Sequence, residues 1–298
     1  MCTTKDIVGL SYRLMRIKGF GPVQTNKILF SMNLHVPLEA AEADIAQRLT
    51  EDQRVSFRQS FIMPVAKSGT SYLSVMDDEY PEQMRRELSS KTPPVLTYMG
   101  NLQLLKKKKV GFCGSRKVSE KGISITVGCA SQLAEKDICI VSGYAEGVDK
   151  TAHLTALKSG GTTIIVLPEG INGFSVKREY ESVWDWNRVL VISEFAPSDP
   201  WLAGRAMTRN ATIISLSDAV VVIEAGEKGG SMDAGLKTLK ENKKLFVTEY
   251  KDIPESAAGN ATLLRRGACP IKRSASTLLP NTSAIYSAVA NKAEALFF

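Results

Sequence analysis

Val110-Gly111-Phe112-Cys113 followed by Gly114-Ser115-Arg116 is the stretch on which the fold turns. Four residues of strand character run directly into a glycine, a hydroxyl and a guanidinium. The same order returns twice. Ile138-Cys139-Ile140-Val141 leads into Ser142-Gly143-Tyr144-Ala145-Glu146-Gly147, and Ala219-Val220-Val221-Val222-Ile223-Glu224 precedes Gly229-Gly230-Ser231. A strand, a loop of small residues and then a helix start presents unpaired backbone N–H groups to an anion. In a parallel sheet, loops of this kind meet at the carboxyl edge, where α/β folds bind ligands. Arg116 lies in the first loop and Arg209 upstream of the third. The expected ligand therefore carries phosphate, as a nucleotide or as a nucleic-acid backbone.

Outward from these loops the chain alternates strand and helix. Strands are expected at Val110–Cys113, Ile138–Val141, Thr163–Leu167, Val189–Ser193, Ala219–Ile223 and Leu245–Thr248. Their nearly continuous apolar runs fit parallel strands buried on both faces. Helices are expected at Glu120–Glu135, Lys150–Ser159, Lys177–Asp185, Arg205–Leu216 and Ser231–Glu241. The predicted fold class is α/β, a doubly wound parallel sheet with right-handed crossovers. Before it, residues 1–64 read as a small helical domain. Ile7, Leu10, Leu14 and Ile17 recur at helical spacing, and further turns are expected from Pro37 to Phe61. Residues 65–279 hold the sheet domain, led in by a short helix at Glu82–Leu88 and a short strand at Val95–Tyr98. Residues 280–298 form a tail with one amphipathic helix, Ala284–Leu296.

The bulk properties narrow the function classes. A hydrophobic share of 44% and a charged share of 23% describe a globular chain. The net charge of +7 favours polyanionic partners. No apolar run approaches membrane-spanning length and the first residues show no secretory pattern, so no membrane role is expected. Five scattered cysteines without a Cys-x-x-Cys pair read as reduced thiols of a cytoplasmic protein. With two histidines only, His35 and His153, neither a metal site nor a His-based triad is expected, and no cofactor is. Neither the dinucleotide fingerprint nor a Walker sequence occurs.

Several motifs admit a bland reading beside a functional one. Gly19-Phe20-Gly21 between two short helices is either a helix-hairpin-helix phosphate contact or a tight αα turn. Lys106–Lys109 either tracks a backbone or is a solvated approach to the first core strand. Asp149 is expected as the N-cap of its helix, and His153 as a structural residue beneath the second loop. Thr208-Arg209-Asn210 either clamps phosphate or marks a helix N-terminus.

Taken together, the segments resemble the DNA-processing protein A (DprA, also called Smf) family. Those that carry the likeness are Gly111-Phe112-Cys113-Gly114-Ser115-Arg116-Lys117, Val141 to His153, and Gly160-Gly161-Thr162 with Thr163 to Leu167. Further on come Ser193-Glu194, Arg209-Asn210, Val221 to Ala225, Gly229-Gly230-Ser231 and Gly259-Asn260 through Gly267-Ala268. The resemblance implies an extended Rossmann-like fold with a sterile-alpha-motif-like domain in front. It implies a non-enzymatic, dimeric protein that binds single-stranded DNA, protects it during natural transformation and loads a RecA-type recombinase. The resemblance puts Arg116 and Lys177 in the family's basic DNA pocket. With the loops, the expected DNA- and phosphate-binding set is Gly114, Ser115, Arg116, Lys117, Ser142, Gly143, Lys177, Arg209, Asn210, Gly229, Gly230, Ser231 and Asn260.

Departures from the family pattern matter. Glu146 stands where a basic residue is usual, and Ala211 where a second Arg is usual. Phe174-Ser175-Val176 replaces a Tyr-Pro segment, and no C-terminal winged-helix-like domain is expected. Tyr144 and Phe174 are the candidates for stacking on bases. A related branch, the LOG-type nucleoside-monophosphate phosphoribohydrolases, gives the alternative. Arg209 and Gly229-Gly230-Ser231 match it in position, but Ala234 stands where its catalytic Glu belongs and Asp233 is one residue short. A nucleotide sensor built on the same pocket is the third reading.

Overall fold

The computed structural model describes residues 1–59, 63–274 and 279–294. Phe61 and Leu296, the expected ends of two helical stretches, lie outside the described residues. The chain divides into two compact units: residues 1–99 with 169–174 and 192–200, and residues 100–168, 175–191 and 201–298.

In the first unit, four helices precede a pair of antiparallel strands. They are α1 (Thr4–Met15), α2 (Pro22–Leu29), α3 (Leu38–Arg48) and α4 (Glu51–Gln59). Thr3 opens α1 with a reciprocal capping box to Asp6. Gly19 takes φ +83° between α1 and α2, and the Gly21 N–H donates to Gln24 Oε1. That turn is therefore closed by its own side chain. Two carboxylates of α3 are held in ion pairs, Glu42 with Arg13 and Asp44 with Arg48. Next come β1 (Ser71–Ser74), α5 (Glu82–Leu88) and β2 (Val95–Gly100), with β1 antiparallel to β2.

The second unit begins with β3 (Lys109–Cys113), α6 (Glu120–Ala134), β4 (Cys139–Ser142), α7 (Val148–Lys158) and β5 (Thr163–Val166). It continues through β6 (Val189–Ser193), α8 (Ala203–Leu216), β7 (Ala219–Val222) and α9 (Gly230–Lys240). It ends with β8 (Leu245–Thr248), α10 (Asn260–Arg265), β9 (Cys269–Ile271) and α11 (Ser283–Glu294). The strands lie in the order β6-β5-β4-β3-β7-β8-β9. All the pairings from β5 through β9 are parallel. Strand order reverses direction between β3 and β7, so the fold rule places a ligand crevice at the carboxyl ends of these two strands. On one face, Cys129, Ala130 and Leu133 of α6 and Val148, Ala152 and Ala156 of α7 bury β3, β4 and β7, with Ile285 and Val289 of α11.

The predicted helix at Lys177–Asp185 does not form. Only a single 3₁₀ turn, Arg178–Tyr180, occupies it. The ring of Tyr180 packs edge-on to Trp184 and Trp184 to Trp186, at 6.0 and 5.1 Å between centroids. Asp185 holds Asn187 and Arg188 in a local turn. Side-chain packing and turn bonds thus outweigh helix propensity here.

Candidate functional site

The three glycine-bearing loops converge at the carboxyl ends of β3, β4 and β7. Two of the glycines make the convergence possible. Gly147 has φ +78°, and a Cβ there would lie 2.3 Å from the Ser115 carbonyl oxygen. The Val148 N–H donates to that same carbonyl at 3.3 Å. The first and second loops are therefore packed backbone against backbone, which a side chain at 147 would prevent. At Gly143 a Cβ would stand 2.0 Å from Arg209 Nη1 and 2.5 Å from Asp149 Oδ2. Its missing side chain is the space the Arg209 guanidinium uses.

Between the loops opens a cavity of about 550 Å³. Gly114, Ser115 and Arg116 line it from the first loop, Arg209 and Asn210 from α8, and Lys228, Gly230 and Ser231 from the third. Arg209 lies in the middle of α8, not ahead of a helix, and is buried. Its Nε has no hydrogen-bond partner, and no hydrogen bond or salt bridge reaches its guanidinium among the described residues. The Asp149 carboxylate stands within about 4.5 Å of Nη1, but no hydrogen bond joins the two. Burying a charge so incompletely satisfied is costly, and a bound anion would offset that cost. Asn210 beside it donates to the Gly230 carbonyl at 3.2 Å and so fixes the start of α9 against α8. No side chain caps α9, whose first bonded amide is that of Asp233, donating to Gly229. The preceding amides leave a partial positive charge at the cavity.

Three cations, Arg116, Arg209 and Lys228, line the cavity against one carboxylate, Asp149. Asp149 does not cap its helix, which starts after Gly147. It accepts instead from Ser142 Oγ at 2.9 Å and from the Ala145 N–H at 3.3 Å, bracing the second loop. His153 is structural, as expected. It is fully buried, with Nε2 2.6 Å from the Gly143 carbonyl and Nδ1 2.6 Å from Thr163 Oγ1. Burial brings its pKa down to about 4. Burial also pushes the Cys113 thiol, at the cavity floor, up to about 12, which makes it an unreactive thiol.

Other expected site residues stand outside the cavity. Ser142 Oγ lies within reach of both the Phe112 carbonyl and Asp149, its single proton serving one at a time, and Lys117 is exposed with its N–H on Ser115 Oγ. Asn260 is a brace: its oxygen accepts from Ala225, and its nitrogen donates to Ile223 and Thr248. Gly229, at φ +106°, forms the turn into α9. Lys177 lies over the Tyr144 ring at 4.7 Å and pairs with Glu146 at 3.0 Å. Glu146 also pairs with Lys150. The hydrogen bonds from Lys150 and Lys177 hold the Glu146 carboxyl below its ordinary range. That carboxylate is thus bound to its own lysines and does not line the cavity.

Tyr144 packs on Tyr180 at 5.5 Å, and Phe174 is buried, so neither expected stacking residue faces the cavity. Sequence reasoning missed Lys228, Trp201 and Glu224. Lys228 adjoins the third loop and was within reach of the same argument. Trp201 carries no motif. Glu224 is fully buried and accepts from the Ser119 N–H and Oγ, Tyr250 and Ser256. Burial pushes its pKa up, but these four donors more than reverse that and leave it lowered. It ties α6 to the loop that carries Ser256. Neither Asp233 nor the buried Ala234 lines the cavity. No cluster of metal-ligating side chains occurs among the described residues, and all five cysteines are free. No helix among the described residues is long and apolar enough to cross a membrane.

Residues 71–281 match the model of the family described as DNA recombination-mediator protein A. The chain is 34% identical over 197 residues to the DNA processing protein DprA of Streptococcus pneumoniae, covering 65% of this chain and 68% of that one. It is 30% identical over 227 residues to protein Smf of Escherichia coli, covering 75% and 59%. Among solved structures, the Streptococcus pneumoniae protein superposes with a TM-score of 0.73 at 28% identity, over 91% of this chain and 95% of that one. The DNA processing protein A of Helicobacter pylori, solved for its single-stranded DNA binding mode, gives 0.60 at 25% identity over 75% and 96%. With the sheet order, the three loops and the matched span in agreement, this chain belongs to the DNA recombination-mediator protein A family.

Proposed function

We propose that this protein binds single-stranded DNA and holds its phosphates in the cavity at the carboxyl edge of the sheet. The observation that carries the reading is Arg209, a buried guanidinium lining the cavity whose Nε finds no hydrogen-bond partner. Arg116 and Lys228 stand at the same cavity, with the uncapped start of α9. Gly114, Ser115, Asn210, Gly230 and Ser231 supply backbone and side-chain donors around it. Phosphate contacts of this kind are independent of sequence. Lys117 and Lys177 flank the path of the strand, and the Lys177 charge is partly offset by Glu146. Membership of the family and likeness to a relative studied for single-stranded DNA binding support the same reading.

The test is oligonucleotide binding by fluorescence anisotropy at two salt concentrations. Arg116→Ala combined with Arg209→Ala is expected to weaken binding to every sequence and to flatten its salt dependence. Unchanged affinity at fixed salt overturns the assignment. In the finer form of the proposal, the protein acts in the cytoplasm as a homodimer that protects the strand and delivers it to a RecA-type recombinase. Light scattering and co-precipitation with such a recombinase test those two parts. Release of free base from a nucleoside monophosphate, lost in Asp233→Ala, would move the assignment to a hydrolase. Stabilisation by a mononucleotide but not by an oligonucleotide would move it to a sensor.

A further inference from the structure

At the mouth of the cavity the chain exposes apolar side chains that the fold does not need. Trp201 is 47% exposed, Leu202 50% and Met207 51%. They sit at the start of α8, and Trp201 and Met207 line the cavity with Ala203 and Ala206. A cluster of exposed apolar side chains at the mouth of a cavity marks a contact site. Position makes this rim specific. The Arg116 guanidinium lies 5.9 Å from the centroid of the Trp201 ring. One wall of the cavity mouth thus holds a cation over an indole ring that is itself half exposed. The ligand that satisfies both carries an anion next to a planar apolar group, as each nucleotide of an unpaired strand does.

We propose that Trp201 is a base-stacking subsite, supported by Leu202 and Met207, and that it selects strands whose bases are unpaired. This rests on the single-strand reading of the cavity and adds the group recognised outside it. Phosphate sits on Arg116 and Arg209, and the attached base lies against the indole. A ring on every base makes the contact tolerant of sequence. Bases held inside a duplex have no free face to offer, so the subsite discriminates single from double strands where phosphate contacts alone do not. Tyr144 and Phe174 cannot take this role from their packed positions.

The experiment compares the full-length protein with Trp201→Ala and Trp201→Phe. The probes are an oligothymidylate and the same backbone made of abasic deoxyribose phosphates. Trp201→Ala is expected to lose roughly 5- to 150-fold in affinity for the oligothymidylate, the range that one lost stacking contact gives. It should bind the abasic backbone as the unaltered protein does, and Trp201→Phe should recover most of the loss. Quenching of tryptophan emission by the oligothymidylate should disappear in both variants, because Trp184 and Trp186 pack among aromatic side chains away from the cavity. Equal loss on both probes, or no loss on either, overturns the subsite while leaving the phosphate site standing. Failure of the unaltered protein to bind any strand overturns the phosphate site and the subsite with it.

Discussion

At the scale of single residues, the site depends on a histidine that takes no part in binding. His153 holds the Gly143 carbonyl through Nε2, and so fixes the glycine whose missing side chain admits Arg209. The Thr163 hydroxyl lies within reach of both His153 Nδ1 and the Ile140 carbonyl, and its single proton serves one at a time. Burial lowers the folded-state pKa from 6.5 to about 4, with Arg209 and Lys177 pushing the same way and Asp149 opposing. Between those values the unfolded chain binds a proton that the folded one refuses. Stability is therefore unaffected by this group above about pH 6.5 and falls as pH drops through the window, by about 3 kcal/mol in all. In His153→Gln that part of the pH dependence should vanish, as read from urea midpoints at pH 7 and 4.5. An unchanged difference between the two midpoints would show that the histidine titrates normally. The sequence placed His153 under the loop because both are neighbours in the chain. It named Arg209 for the site but not its burial, since packing against a glycine more than sixty residues away is a property of the fold.

At the scale of elements, α9 shows how a helix end differs from a side chain as an anion site. Its amides at Gly230, Ser231 and Met232 precede the first bonded amide and have no side-chain cap. A carboxylate in the first turn of a helix stabilises it by about 0.3–1 kcal/mol and occupies the charge an external anion would use. Ser231→Asp should thus leave the melting temperature level or slightly higher while weakening oligonucleotide binding, most at low salt. Loss of stability together with binding would mean that α9 is only packing. Elements of this kind were legible because strand, small-residue loop and helix start are adjacent in sequence. The core strands fall within a residue or two of their expected ends. Less legible were the short peripheral strands Ser71–Ser74 and Cys269–Ile271. The latter carries Pro270, which removes an N–H and is tolerated only at a sheet edge, where β9 lies. The absent helix at 177–185 has another cause. A local propensity met three aromatic rings with better partners in each other.

For the molecule as a whole, the question is which part of the +7 charge is used. Two basic features compete, at opposite ends of β3. Arg116 and Lys228 stand at its carboxyl end, at the cavity. The run Lys106–Lys109 stands at its amino end, about 13 Å away along a strand of this length. Much of that run is already committed. Lys109 is buried and donates to the Leu105 and Lys107 carbonyls, while Lys107 pairs with Asp137. Lys106 and Lys108 remain exposed. Net charge draws a polyanion to any basic face, but only cations that contact phosphate release counterions on binding. Arg116→Ala with Lys228→Ala should therefore reduce the slope of log affinity against log salt by about 1.4 for a single strand, at about 0.7 per contact. Lys106→Ala with Lys108→Ala removes the same formal charge and should leave the slope in place, lowering affinity only through the weaker long-range field. If the lysine pair reduced the slope as much as the cavity pair, the strand would be bound at the amino edge of the sheet, and the three loops would lose their role.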